Sequence, residues 1–141
     1  MSSGLELLKI LYIIRTHGEI RGRTRFQKLV FLLKYKYNVP FDFQYTSYFY
    51  GPYSYDLSEY LDSLLSYDLI SETRIHLGTD VDRYDYSLTQ KGSEFIDKFE
   101  KAVEDNNEFE RIREAIQKMD DESTPHLVRT AKKLMRDLMN D

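Results

Sequence analysis

Residues 50–70, YGPYSYDLSEYLDSLLSYDLI, restrict the possible folds more than any other part of the chain. Gly51-Pro52 is a turn signal. Ser54 is a residue that caps helices, and Asp56 puts a negative charge near the positive end of a helix dipole. A short helix is therefore expected from Tyr55 to about Tyr67, with Leu57, Leu61, Leu64 and Leu65 as its apolar face. Its other face carries Asp56, Ser58, Glu59, Asp62, Ser63 and Ser66. A helix that enters a DNA groove normally brings cations, and this one has three carboxylates and none.

The flanking segments alternate between helical and extended patterns. Residues 5–16 are apolar nearly all round, which marks a helix buried on several sides, and Gly18 can end it. Residues 19–23 read as a linker, with Thr24 as the cap of a second helix that carries Phe26, Leu29, Val30, Leu33 and Tyr37 on one side. Gln27, Lys28, Lys34 and Lys36 are expected to stay on its polar side. Pro40 breaks that helix, and residues 41–50 alternate like a short extended segment. After the opening helix, residues 70–77 and 83–88 alternate as two strands around a Gly78-Thr79-Asp80 turn. Thr89 caps a helix carrying Phe95, Ile96, Phe99 and Val103. A further piece with Phe109, Ile112, Ile116 and Met119 follows, and Thr124-Pro125 starts a last helix displaying Leu127, Ala131, Leu134 and Leu138.

Composition limits the chemistry. The 141 residues suit one domain with a real core. With no cysteine, disulfides, thiol nucleophiles and cysteine zinc sites are excluded. The histidines at 17, 76 and 126 have no ligand-like spacing, so no metal is expected. Asp80, Asp82 and Asp85 lack the accompanying groups of a hydrolytic site. There is no phosphate-binding glycine loop and no nucleophile elbow, so neither a cofactor nor an enzyme is expected. No apolar run is long enough to span a bilayer and no secretory signal is evident, which leads us to expect a cytoplasmic protein. Charge is unevenly spread: residues 1–50 carry a net +5, residues 51–100 a net −7 and residues 101–141 a net −2.

Helix, helix, short strand, helix, strand, turn, strand is the order of a winged helix-turn-helix. The expected class is α+β, mainly α, with residues 1–105 as the winged domain. Residues 106–141 would be a helical extension, either packed on that domain or forming a dimer contact. The "LTxKG" pattern at Leu88–Gly92 looks like the wing-to-helix junction of winged-helix regulators. Gly22-Arg23 and Leu29-Val30-Phe31-Leu32-Leu33 with the preceding Gln27-Lys28, taken with Tyr50-Gly51-Pro52-Tyr53-Ser54, resemble the YwgA-like group of prokaryotic winged-helix proteins, with Phe26 and Phe31 as departures. More widely, the "YGP" turn resembles that of the SocA-like or Panacea antitoxin family. The resemblance covers about residues 5–92 and implies a regulatory or antitoxin-type role.

Two functional expectations follow. In the first, the protein is a transcription regulator on double-stranded DNA, with Arg21, Arg23, Arg25, Lys28 and, on the wing, Arg83 as phosphate contacts, since arginine holds phosphate with a planar fork. The second is a winged helix turned to protein recognition, as in an antitoxin or adaptor, in which Tyr50, Tyr53, Asp56, Glu59 and Tyr60 meet a basic partner. Base stacking on the tyrosines is disfavoured because residues 42–70 contain no Lys or Arg to hold a backbone.

Overall fold

The computed structural model describes residues 3–140 as an α+β fold, mainly helical, with two small antiparallel sheets. Helix α1 (Ser3–His17) buries Leu8, Ile10, Leu11, Ile13 and Ile14, and Gly18, at φ 86°, closes it with an N–H to the Ile14 carbonyl at 2.8 Å. The expected linker at 19–23 contains a strand instead. This strand, β1 (Ile20–Arg21), pairs Ile20 with Tyr86 and Arg21 with Asp85, and two residues are too few to show a period.

Helix α2 (Arg23–Tyr35) lies at the centre of the molecule. Its cap is Gly22, at φ 105°, and Thr24 falls inside the first turn. Phe26 and Leu29 to Leu33 are buried. So are Arg25, Gln27 and Lys28, which corrects the expected polar face. The reason is that α2 is covered on more than one side, Arg25 by the C-terminal helices and Gln27 and Lys28 by residues 52–54.

Strands β2 (Thr46–Tyr48) and β3 (Gly51–Tyr53) form this hairpin, with Thr46 opposite Tyr53 and Tyr48 opposite Gly51. Gly51-Pro52 is thus in a strand, and the chain reverses at Phe49-Tyr50. Proline is tolerated here because a two-stranded ribbon leaves an edge on which no N–H is required.

Helix α3 (Tyr55–Ser66) starts as expected, the Ser54 side chain accepting from Leu57 N at 3.2 Å, and it buries Leu57, Leu61 and Leu64. Strands β4 (Ile70–Gly78) and β5 (Val81–Leu88) pair from Ile70–Leu88 out to Gly78–Val81, giving a sheet in the order β1-β5-β4. Thr89 caps α4 (Gln90–Lys98) by accepting from Gly92 N at 2.9 Å. A short α5 (Glu100–Glu104) leads to α6 (Asn107–Met119), which packs on α1, with Tyr12 edge-on to Phe109. The last helix, α7 (Thr124–Met139), is capped by Ser123 rather than Thr124 and lies along α2 and β3. Phe109, Ile112, Ile116, Met119, Leu127 and Ala131 join the same core as α1 and α2. None of the described helices is long and apolar enough to cross a membrane.

Candidate functional site

The two sequence motifs that carry the family resemblance interlock in space. Gln27 donates from Nε2 to the Ser54 carbonyl at 2.9 Å and accepts from Ser54 N at 2.8 Å. From the next residue of α2, Lys28 Nζ donates to the Pro52 carbonyl at 3.0 Å. The Gly-Pro-Tyr-Ser segment is thus held to α2 through backbone atoms, and that fixes both the hairpin and the first turn of α3.

Above this clamp lies a groove of about 430 Å³ between the first half of α2 and the hairpin. Arg23, Thr24, Gln27 and Lys28 line one side, and Tyr48, Phe49, Tyr50, Tyr53 and Tyr55 line the other. The rings brace one another edge to face, Tyr48 on Tyr53 at 5.6 Å and Tyr53 on Tyr55 at 5.2 Å, while the Tyr48 and Tyr55 hydroxyls hydrogen-bond. Phe49 and Tyr50 at the tip are 81% and 64% exposed. Exposure of that much aromatic surface on a defined hairpin is a mark of a contact site.

The basic residues expected to meet phosphate do not form one surface. Arg25 is only 7% exposed, and its guanidinium donates to the carbonyls of Met119, Asp120 and Glu122, to Thr124 Oγ1 and to His17 Nε2. It ties the α6–α7 junction to α2. Burial, ahead of the Arg25 charge, pushes His17 below its ordinary value. Lys28 is 2% exposed. For these two the expected contact with a DNA backbone is corrected: the elements that cover α2 leave neither guanidinium nor ammonium on an open face for a duplex to follow, and Lys28 borders only the groove beside the hairpin. Arg83 forms a bidentate pair with buried Asp85 at 2.8 and 2.9 Å. Arg21 is exposed and pairs with Glu19 at 3.2 Å. Arg23 lies 3.9 Å over the Tyr84 ring, donates to the Tyr86 hydroxyl at 3.1 Å and reaches Glu72 at 3.5 Å, while Tyr86 donates to Glu72 at 2.6 Å. Burial, then the Glu72 bond, raises the Tyr86 phenol.

The residues expected at a partner interface divide differently. Tyr50 is exposed at the hairpin tip, and Tyr53 is half-buried, its hydroxyl 2.6 Å from Ser58 Oγ. Asp56 accepts from Gln44 N at 2.7 Å, which gives it a structural duty. Tyr60 packs on Phe43, ring centroids 5.4 Å apart, and its phenol is raised chiefly by burial. Glu59 is exposed, as is Asp62 one turn further on.

Sequence reasoning missed three features: the Gln27 clamp, the exposed Phe49, and Lys132 of α7, whose Nζ sits 5.7 Å from the Phe49 ring. Cations do therefore stand beside the aromatic segment, supplied by α2 and α7 rather than by the segment itself. No local signal marks this, because Lys132 is far along the chain. Among the described residues no group of three or more His, Asp or Glu is placed to hold a metal ion. Asp82 is taken up by Arg74 at 2.6 Å and His76 at 2.6 Å.

No family model matches the chain. It is similar to the Bacillus subtilis (strain 168) protein named "Uncharacterized protein YwgA", 36% identical over 92 residues that make up 65% of this chain and 54% of that protein. The chain thus spans about half the length of this curated relative, and the likeness supports the YwgA-like resemblance carried by the two interlocked motifs.

Proposed function

We propose that the chain is a winged-helix module used for protein recognition, with the aromatic hairpin and the outer face of α3 as its contact surface. The carrying observation is the exposed Tyr48, Phe49, Tyr50 and Tyr55 cluster next to the unpaired acids Glu59 and Asp62. Rigid aromatic rings supply contact area at small entropic cost, and the two carboxylates select a partner with basic side chains through complementary charge. The order α1, β1, α2, α3, β4, β5 with the sheet β1-β5-β4 supports the winged-helix reading. An antitoxin- or adaptor-type role, and a wider kinship with SocA-like or Panacea antitoxins, fit this use.

The same topology favours a second reading, a transcription regulator on double-stranded DNA. Against it stand the acids on α3 and the pairing of Arg21, Arg23, Arg74 and Arg83 with carboxylates. One experiment decides between them. Wild type, Glu59→Lys/Asp62→Lys and Phe49→Ser/Tyr50→Ser are tagged in the native host and the copurifying proteins identified, with duplex-DNA anisotropy run alongside across a salt series. A basic partner lost in both double variants, with circular dichroism unchanged, supports protein recognition. Retention of every partner by both variants, or tight DNA binding that weakens steeply with salt, overturns it.

A further inference from the structure

The described residues include five buried charged side chains: Glu6, Lys9, Arg25, Lys28 and Asp85. Four have charge partners or a full set of acceptors. Lys9 bridges Glu6 at 3.1 Å and Glu108 at 2.9 Å, Asp85 holds Arg83, and Arg25 is met by three carbonyls and two side chains beside Asp120 and Glu122. Lys28 is the exception. Its ammonium carries three N–H groups and donates to a single acceptor, the Pro52 carbonyl. No carboxylate of the described residues lies within the 4.0 Å of an ion pair.

The charge that bears on it through space has the same sign. Lys132 approaches from α7, and burial together with this second ammonium brings the Lys28 amine down to about 8. Gly51 lets the two converge. A Cβ there would sit 3.3 Å from Lys28 Cε and 3.2 Å from Lys132 Cγ, and φ is +103°. A larger residue would have to push the lysine stems away. Two like charges next to a buried site, without a counter-ion, raise the energy of the folded chain, and an arriving anion would relieve it.

We propose that the groove over Lys28 binds an oxyanion carried on a planar apolar body, such as an aryl phosphate or aryl carboxylate. Lys28, which lines the groove, meets the oxyanion, Lys132 beside Phe49 adds its charge from α7, and Phe49, Tyr50 and Tyr53 enclose the body. The cavity of about 430 Å³ lies in the size range of small-molecule sites. Arg23, at the other end of the groove, is already engaged with Tyr86 and Glu72 and forms a polar rim. The titratable groups around Lys28 are Arg23 on its own helix, Lys132 on α7, Tyr48, Tyr50 and Tyr53 on the hairpin, and Tyr55 on α3. The oxyanion keeps Lys28 protonated, so binding above about pH 8 takes up a proton.

The test is calorimetry on the full chain with 2-naphthyl phosphate, 2-naphthoate, neutral 2-naphthol and inorganic phosphate. Both aryl anions are expected to bind at least about tenfold more tightly than 2-naphthol or phosphate, a gap of about 1.4 kcal/mol. If one aryl anion exceeds the other by that factor, it identifies the natural group as phosphate or carboxylate. Lys132→Gln, a partly exposed site that leaves the core alone, should weaken binding several-fold. Lys28→Met should abolish it and also the proton uptake, read at about pH 8.5 from buffers of different ionisation enthalpy. Equal affinity for 2-naphthol, no binding of either aryl anion, or unchanged binding in Lys132→Gln overturns the proposal. The measurement needs no protein partner, so its outcome is independent of the recognition role proposed above.

Discussion

Gln27 gives the sharpest test of how the hairpin is held, because its side chain makes two hydrogen bonds from α2 to the Ser54 backbone, beside the single bond from Lys28 to Pro52. In Gln27→Ala the Ser54 N–H, now served at 2.8 Å, is left buried with no acceptor. The Ser54 carbonyl is less affected, since Ser58 N at 3.4 Å and Ser58 Oγ at 3.5 Å still donate to it. An orphaned buried donor costs about 1–3 kcal/mol and a lost satisfied bond about 1 kcal/mol, partly offset by the side-chain entropy the shorter residue no longer loses. A net destabilisation of about 2–3 kcal/mol is expected, which lowers Tm by roughly 5–10 °C for a chain of this size. Gln27→Glu separates the two bonds. The new carboxylate can still accept from Ser54 N, but its second oxygen faces the Ser54 carbonyl unless it is protonated. Its folded-state pKa is therefore raised above the unfolded value of about 4.3. The variant should match wild type below that value and lose stability as pH rises through the folded pKa. Urea melts followed by far-UV circular dichroism between about pH 4 and pH 8 measure both effects. If Gln27→Ala stays within about 0.5 kcal/mol of wild type at unchanged m, the clamp does not hold the hairpin.

Three other outcomes follow from the geometry. Gly92→Ala would place a Cβ 1.9 Å from the Leu69 carbonyl oxygen, a backbone atom that cannot step aside, and should cost about 2–3 kcal/mol in a denaturant melt. Arg25→Ala should cost about 2–4 kcal/mol and Arg25→Lys should recover less than half, because one ammonium cannot span the carbonyls of Met119, Asp120 and Glu122 together; Arg21→Ala on the exposed strand serves as the neutral control. Because burial holds His17 below its ordinary value, the stability it contributes is complete above the unfolded pKa of about 6.5 and is lost as pH falls towards the folded value. His17→Gln should flatten the stability profile in that acidic window.

The helices were legible wherever an apolar stripe met a cap: Ser54 before α3 and Thr89 before α4 were readable from residue type and spacing, as was the β4–β5 hairpin around its turn. The site was less legible, for physical reasons. Arg25 and Lys28 follow the same helical period as any solvated cation, and only the cover provided by α6, α7 and β3 turns them inward. Gly51-Pro52 carries strong turn chemistry, yet the reversal falls two residues earlier, at Phe49-Tyr50, and Gly51 uses its positive φ within the strand pairing. Residues 42–70 contain no cation, but the space around them does, since Lys132 comes from the far end of the chain.

That α7 lies along α2 and β3 bears on how the protein can be divided. A fragment ending near residue 105 would uncover the face of α2 that α7 covers, leave the Arg25 fork without its three carbonyls and remove Lys132 from beside the hairpin. Residues 106–141 thus belong to the same core, and the two fragments should regain structure by complementation rather than separately. An occupant held by both Lys28 and Lys132 would span the cut, so its affinity would measure how firmly the two ends of the chain are docked.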